Sequence, residues 1–201
     1  MDRDGGFESG ISHRLIVIGA SAGGPGILLG ILKKLPETTP GIVVVQHICE
    51  GFTSHLVNFM DYQCRMKVRE ASDLEPLYDG TVYLAAGRNH LKVMKGKTGF
   101  YLRYSGKDLC NGVCPSADVL FSSAVCAGKD GMGIILSGMG KDGAQGLLKM
   151  RRAGALTIGQ DQASSPVYGM PCEAKKAGAV MKECTPEQIV EQILRFSGRE
   201  E

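Results

Sequence analysis

RLIVIGASAGGPGILLGILKKLPETTPGIVVVQ, residues 14–46, decides the fold. Its first segment, RLIVIG (14–19), is short, rich in β-branched residues and apolar at nearly every position. That is the pattern of a strand covered on both faces of a parallel sheet, not of one alternating between core and water. After ASAGG, Pro25 suits a first helical turn, where its missing N–H is no loss. Ile27, Leu28, Ile31, Leu32 and Leu35 then recur at helical spacing until Pro36. GIVVVQ (41–46) repeats the buried-strand pattern. A strand, a helix and a second strand in this order form the crossover unit of parallel sheets.

Outward from this unit the α/β rhythm continues. A helix is expected over about 53–64, with Thr53 as cap and Leu56, Phe59 and Met60 turned inward. MKVREA (66–71) and TVYLAA (81–86) read as strands, the second preceded by an Asp79-Gly80 turn. Residues 90–105 alternate in places and turn near Gly96 to Gly99, which predicts an antiparallel hairpin at an edge of the sheet. Ser116 can cap a helix through about 126, GIILSG (133–138) is a strand, and AQGLLKMRRAG (144–154) is a helix stopped by Gly154. ALTIGQ (155–160) is a further strand, with a short helix near 172–177 and a strand at AVM (179–181). Thr185-Pro186-Glu187-Gln188 has capping-box spacing and opens a last helix through about Phe196. The expectation is one doubly wound α/β domain over 14–196, its sheet mostly parallel with an appended antiparallel hairpin. A flexible segment (1–13) and a short tail (197–201) flank it.

Composition narrows the function. The 201 residues carry 23 Lys+Arg against 21 Asp+Glu, a formal +2 with no block of like charge, which argues against nucleic-acid tracking. The longest apolar runs, LIVI (15–18) and IVVV (42–45), are far short of a membrane span, and MDRDGGFESGISHR lacks the apolar core of a secretion signal. A cytoplasmic protein without membrane insertion is expected. Seven cysteines, at 49, 64, 110, 114, 126, 172 and 184, are odd in number and scattered, so reduced thiols are expected rather than a disulfide framework. Cys110 and Cys114 are the only close pair, and no neighbouring His completes a zinc site. No metal or organic cofactor is expected.

Sites in open α/β sheets form beyond the carboxyl ends of the strands. Ser21 follows the first strand, His47 the second, and Asp142 the strand at 133–138. Gly19-Ala20-Ser21-Ala22-Gly23 is a G-x-S-x-G turn from strand to helix, the context that exposes a nucleophilic hydroxyl. The same turn also suits a helix N-cap or a phosphate cradle. A dinucleotide site, however, wants G-x-G-x-x-G and an acid at the end of the second strand, and Gln46-His47 stands there instead. His47 taken alone reads as a structural histidine, and Asp142 alone as an N-cap. Its loop, Gly138-Met139-Gly140-Lys141-Asp142-Gly143, is dense in glycine, which lets backbone amides approach a substrate. The order Ser, His, Asp is not that of α/β-hydrolases, whose His comes last; no histidine follows His90. A triad is defined by geometry, so another order is permitted.

GASAGG (19–24), VVQHI (44–48), GFTSHL (51–56), PSADVLF (115–121), SGMGKDGAQGL (137–147) and YGMPCEA (168–174) resemble, in order and spacing, the motif series of CheB-type protein-glutamate methylesterases. The resemblance runs from about residue 14 to 196. It implies a doubly wound parallel sheet with a hairpin, and a serine hydrolase that releases methanol from glutamyl methyl esters of chemoreceptors and also deamidates receptor glutamines. It implies Ser21 as nucleophile, His47 as general base and Asp142 as the orienting acid. Backbone N–H groups near Ala22 and Met139 are implied to hold the oxyanion. The implied partners are methylated chemoreceptor helices and a receiver domain, in a longer chain or on a separate protein.

Several positions depart from the family pattern. Ala22 stands where threonine is common, Ile48-Cys49-Glu50 replaces M-P-P, Arg88-Asn89-His90 replaces a G-D-x-H-like stretch, and Cys114 takes the place of a basic residue. The competing readings are a nucleotide-binding module built on GASAGG and a non-catalytic scaffold that binds receptors. His55 and His90 read as surface or structural residues. Met60, Met132, Met150 and Met170 read as packing or loop anchors, and Lys149, Arg151 and Arg152 as a solvated helix end.

Overall fold

The computed structural model describes residues 10–49 and 51–198. Residues 1–9, Glu50 and 199–201 lie outside them, and with them most of the expected N-terminal segment and tail. Ile11 bridges to Tyr78, and Ser12 is fully buried, its hydroxyl accepting from the Gly41 N–H at 3.1 Å.

Seven strands form one parallel sheet. β1 (Leu15–Ala20) is central and pairs β2 (Ile42–Gln46) on one side and β7 (Gly131–Ile135) on the other. Beyond β2 lie β4 (Thr81–Leu84) and then β3 (Lys67–Glu70); beyond β7 lie β8 (Leu156–Gln160) and β9 (Lys182–Cys184). All six pairings are parallel. The chain leaves β1 in one direction and returns on the other side through β7, so the β1/β7 boundary is the switch point where such folds place ligands.

β1 is buried at every position, as its unbroken apolar run requires. Ile16, Ile18 and Ala20 join one core, beneath α1 (Gly24–Leu32), α2 (Thr53–Gln63) and α6 (Pro186–Phe196). Leu15 and Val17 join the other, under α3 (Ala117–Ala124), α4 (Ala144–Arg152) and α5 (Met170–Lys176). Gly19 belongs to the α3 face, where an added Cβ would stand 2.8 Å from the Ala117 Cβ and 3.1 Å from the Phe121 ring. The missing side chain lets the start of α3 lie directly on β1, which later decides what surrounds Asp142.

The hairpin, β5 (His90–Lys95) with β6 (Phe100–Ser105), is antiparallel as expected, but it is a separate two-stranded sheet and not an edge of the main one. Its apolar face (Leu91, Val93, Phe100, Leu102) packs with α3 in the second core, while Lys92, Met94 and Arg103 stand on the other face. That half-buried alternation suits a lid on a helix rather than a strand covered twice.

Other boundaries also move. Thr53 is a buried first residue of α2, whose N-cap is Phe52, and makes no capping bond. Phe59 faces outward, 56% exposed, because the buried positions Thr53, Val57, Met60 and Cys64 follow i, i+4, i+7, i+11 spacing and leave it off the stripe. The strand expected at 133–138 ends at Ile135, and the one expected at 179–181 begins at Lys182. The helix expected through 126 ends at Ala124 and continues as a 3₁₀ turn, Val125–Asp130. Met60, Met132, Met150 and Met170 are buried packing residues, and all seven cysteines are free. No helix among the described residues is long and apolar enough to cross a membrane.

Thr185 and Gln188 form the capping box that their spacing predicts: Thr185 Oγ1 accepts from the Gln188 N–H at 3.3 Å, and Gln188 Oε1 from the Thr185 N–H at 2.9 Å. Thr185→Ala is expected to cost about 1 kcal/mol, seen as a lower urea midpoint with an unchanged slope.

Candidate active site

β1 and β2 are in register at Ala20 and Gln46, so the next residue on each, Ser21 and His47, leaves the sheet beside the other. The His47 N–H donates to the Ala20 carbonyl at 2.9 Å, extending the ladder by one bond. Gln46, fully within the core at 4% exposure, then binds the two exits together. Its side-chain amide donates to the Ser21 carbonyl at 2.9 Å and the His47 carbonyl at 3.1 Å. In the sequence this residue registered only as the wrong group for a ribose; its physical role is to clamp two turns.

The β7 exit fastens to the same turn. The Ser21 N–H donates to the Ser137 carbonyl at 3.0 Å, and the Ser137 hydroxyl to the Ala22 carbonyl at 2.8 Å. Gln160, buried at the end of β8, accepts from the Ser137 N–H at 2.9 Å. Gly138 is needed for close approach: a Cβ there would stand 2.3 Å from the Met170 sulfur and 2.7 Å from the Ser21 Cβ. The N–H groups of Ala22 and Met139 are left out of this bonding among the described residues, and both residues are exposed.

Asp142 is 3% exposed. It is not the N-cap of the helix that follows it; that position is Gly143, which has no side chain to cap with. Its carboxylate lies instead against the N-terminus of α3. Oδ2 accepts from the Ala117 N–H at 2.6 Å and from His47 Nε2 at 2.9 Å. Oδ1 accepts from the Ser116 hydroxyl at 2.6 Å, Asn111 Nδ2 at 3.0 Å and the Asp118 N–H at 3.3 Å. A helix N-terminus with free N–H groups is a natural seat for an anion. Burial pushes the Asp142 carboxyl up, but the bonds from His47, Ser116, Asn111 and the Ala117 N–H outweigh it and hold the carboxyl below its usual range.

A carboxylate only accepts, so His47 Nε2 carries the proton and Nδ1 keeps its lone pair in the neutral ring. The structure therefore brings His47 and Asp142 into direct contact and sets Ser21 next to His47. The Ser21 hydroxyl itself makes no hydrogen bond among the described residues. A cleft of about 450 Å³ opens beside His47, lined among others by Gln46, Ile48, Thr53, Arg88, Lys107 and Pro115.

Of the other histidines, His55 is exposed on α2, whereas His90 is buried, at 6% exposure. Its Nδ1 accepts from the Ser116 N–H at 3.2 Å and its Nε2 donates to the Asp108 carbonyl at 2.7 Å, so it steadies the N-cap residue that touches Asp142. Sequence reasoning passed over Asn111, Ser116 and Gln46 as site residues. The only signal was Ser116 as a cap, because the others act through partners far along the chain. Cys110, Asp118 and Asp142 have ligand atoms within 4.8 Å of one another. The carboxylates there already accept N–H and O–H groups of the protein, which is not the chemistry of a vacant metal site.

The model of a family described as CheB methylesterase matches residues 16–193. A protein-glutamate methylesterase/protein-glutamine glutaminase 1 of Dechloromonas aromatica is 42% identical over 186 residues, covering 92% of this chain and 53% of its own length. A protein-glutamate methylesterase/protein-glutamine glutaminase of Nitrosomonas europaea is 44% identical over 187 residues, covering 92% and 52%. The chain thus spans about half the length of these curated relatives. The crystal structure of the Thermotoga maritima CheB methylesterase catalytic domain matches with a TM-score of 0.88 at 33% identity, over 92% of this chain and 99% of that one.

Proposed function

Since the chain belongs to the CheB methylesterase family, we propose that it is a serine hydrolase of glutamyl methyl esters on chemoreceptor helices, with Ser21 as nucleophile, His47 as general base and Asp142 as the acid that orients it. The observation that carries the reading is the His47–Asp142 contact at 2.9 Å, anchored on the N-terminus of α3 and standing beside Ser21 at the sheet's switch point.

The step sequence follows from the protonation states. His47 Nδ1 takes the Ser21 proton as Oγ attacks the ester carbonyl, and Asp142 holds the Nε2–H and stabilises the imidazolium that forms. The N–H groups of Ala22 and Met139, without a bond among the described residues, are the donors proposed for the oxyanion; a donor of this kind is worth ~10²–10³ in rate. His47 returns its proton to the leaving methoxide, and methanol departs. Water, deprotonated by the same imidazole, then opens the acyl-enzyme to give a glutamate and regenerate Ser21. A primary amide in place of the ester gives the same acyl-enzyme with loss of ammonia, so glutamine deamidation is part of the proposal. The cleft beside His47 is the seat proposed for the helix that presents the ester, its Lys107 suited to an acidic receptor surface. No step calls for a metal or organic cofactor.

Methanol release from methyl-labelled chemoreceptor membranes tests this. The protein is expected to release it, and to release ammonia more slowly from receptors bearing glutamine at the same sites. A folded protein that releases neither, across receptors of several classes, overturns the reading.

A further inference from the structure

Asn111 adopts a left-handed backbone, φ 54°, at the tip of a turn closed by two reciprocal backbone bonds between Cys110 and Val113, at 3.0 and 3.1 Å. Such a φ is uncommon for a residue other than glycine, and Asn is among the side chains that tolerate it. The turn aims the side chain inward. Its Nδ2 donates to Asp118 Oδ2 at 2.6 Å and to Asp142 Oδ1 at 3.0 Å, one bond to each carboxylate. Asp118 Oδ1 accepts in turn from the Gly146 N–H at 2.6 Å. Asp118 is 8% exposed and Asp142 3%.

Two carboxylates therefore face each other out of water, close enough that their oxygens and the Cys110 sulfur fall within 4.8 Å of one another. At that separation like charges normally force one carboxyl to keep a proton. The titratable groups around Asp142 are His47 from the end of β2, Asp118 from the first turn of α3 and Cys110 from the Asn111 turn, with His90 of β5 behind Ser116. None of these but His47 can offset the charge of Asp118. The NH2 of Asn111 lies between the two carboxylates and donates to each, with the Cys110 sulfur a longer third contact at 3.7 Å.

We propose that Asn111 is a positioning residue of the hydrolytic site: its amide, set between the Asp118 and Asp142 carboxylates and donating to both, screens one from the other and so keeps the Asp142 carboxylate available to His47. The role rests on the proposed function, in which the His47–Asp142 pair acts as base. It sets the pH at which that pair takes up the proton that silences it. Because the pair is coupled, the inactivating proton belongs to the pair rather than to either residue. The sign is nonetheless fixed. Less stabilisation of the negative charge makes proton uptake easier and moves the acid side of the activity profile to higher pH. Removal of the charge on Asp118 moves it to lower pH.

The test uses Asn111→Gly, which deletes the amide at a backbone angle that glycine adopts without strain. Asp118→Asn and the double variant accompany it. Methanol release from methylated receptor membranes is followed against pH, together with the imidazole nitrogen shifts of His47 by NMR. For Asn111→Gly, the acid side is expected to move up by about 1 pH unit, about a tenfold loss of turnover below it, with KM little changed. Asn111→Asp, which also tolerates the backbone and adds a third carboxylate, is expected to move it further. In the double variant the profile is expected to return toward the parent's, since no second charge remains to be bridged. Loss of activity in Asn111→Gly with an unmoved profile, or a double variant no nearer the parent than the single one, overturns the proposal. The NMR titration separates this from the function itself. If the parent releases no methanol but the His47 nitrogen shifts respond to pH differently in parent and Asn111→Gly, the hydrolytic reading fails and only the coupling of Asn111 to the His47–Asp142 pair stands. If the parent is active and the titration of His47 does not move, the reverse holds.

Discussion

Ser21→Ala is expected to lower methanol release from methylated receptors by ~10⁴-fold or more while leaving the folded protein as stable as before. The rate term follows from removing the atom that forms the acyl bond; loss of a serine nucleophile in comparable triads costs up to ~10⁶ in turnover. The stability term follows from the local bonding. Ser21 is held by its backbone, through its N–H to Ser137 and its carbonyl to Gln46, and its hydroxyl bonds no other described residue. Alanine keeps all of that. The measurement pairs initial rates of methanol release with urea melts of both proteins. Equal release by parent and variant removes Ser21 from the mechanism. A large loss of stability instead shows that the hydroxyl supports the turn.

Asp142→Asn is expected to differ in kind, because it strikes both rate and stability. Turnover should fall by ~10⁴-fold, since an amide oxygen and NH2 cannot hold the His47 tautomer and the imidazolium together as a carboxylate does. Stability should fall by about 2–3 kcal/mol. The carboxylate accepts from His47, Ala117, Ser116, Asn111 and Asp118, whereas an asparagine has one accepting oxygen and turns an NH2 toward donors that cannot reverse. The Ser116 hydroxyl can rotate to accept; the Ala117 N–H cannot, and the Asn111 amide can do so only by turning its oxygen toward the Asp118 carboxylate it now donates to. The loss should also depend on pH. The folded Asp142 carboxyl lies below its unfolded value, so its stabilisation is fully present above the unfolded pKa and disappears as pH falls through the folded one. Parent and variant should therefore converge in stability toward acid pH and diverge near neutrality. A constant difference across that range contradicts the assigned charge state.

Much of this site was legible in the chain. Ser21, His47 and Asp142 are named by their places after β1, β2 and β7, because parallel sheets put every carboxyl end on one side. Asp142 shows where such reading stops. Its position before α4 suggests a cap, and a cap of a helix is what the carboxylate is; the helix is α3, whose Ala117 N–H lies 25 residues away in sequence. Local patterns describe what a residue can do for its own turn and carry nothing about a helix end brought in from elsewhere. His90 is similar: a histidine beginning a surface hairpin is buried because the hairpin folds over α3 instead of extending the sheet. Phe59 erred in the other direction, since an aromatic residue in a helical stripe reads as core until the neighbouring element decides which stripe is covered.

By itself the sequence determined the element types and the parallel sheet, and it pointed to three candidate side chains beyond the strand ends. Periodicity, capping residues and glycine punctuation are local, and backbone geometry converts them directly into helices, strands and turns. The tertiary structure alone decided that Asn111, Ser116 and the first N–H groups of α3 converge on Asp142, that Gln46 ties the Ser21 turn to the His47 turn, and that Gly138 lets Ser21 sit against β7. The physical reason is that a buried charge must be satisfied by whichever donors packing brings within about 3 Å. Packing selects those donors through space, by the close approach of α3 to Gly19, and not by any spacing along the chain.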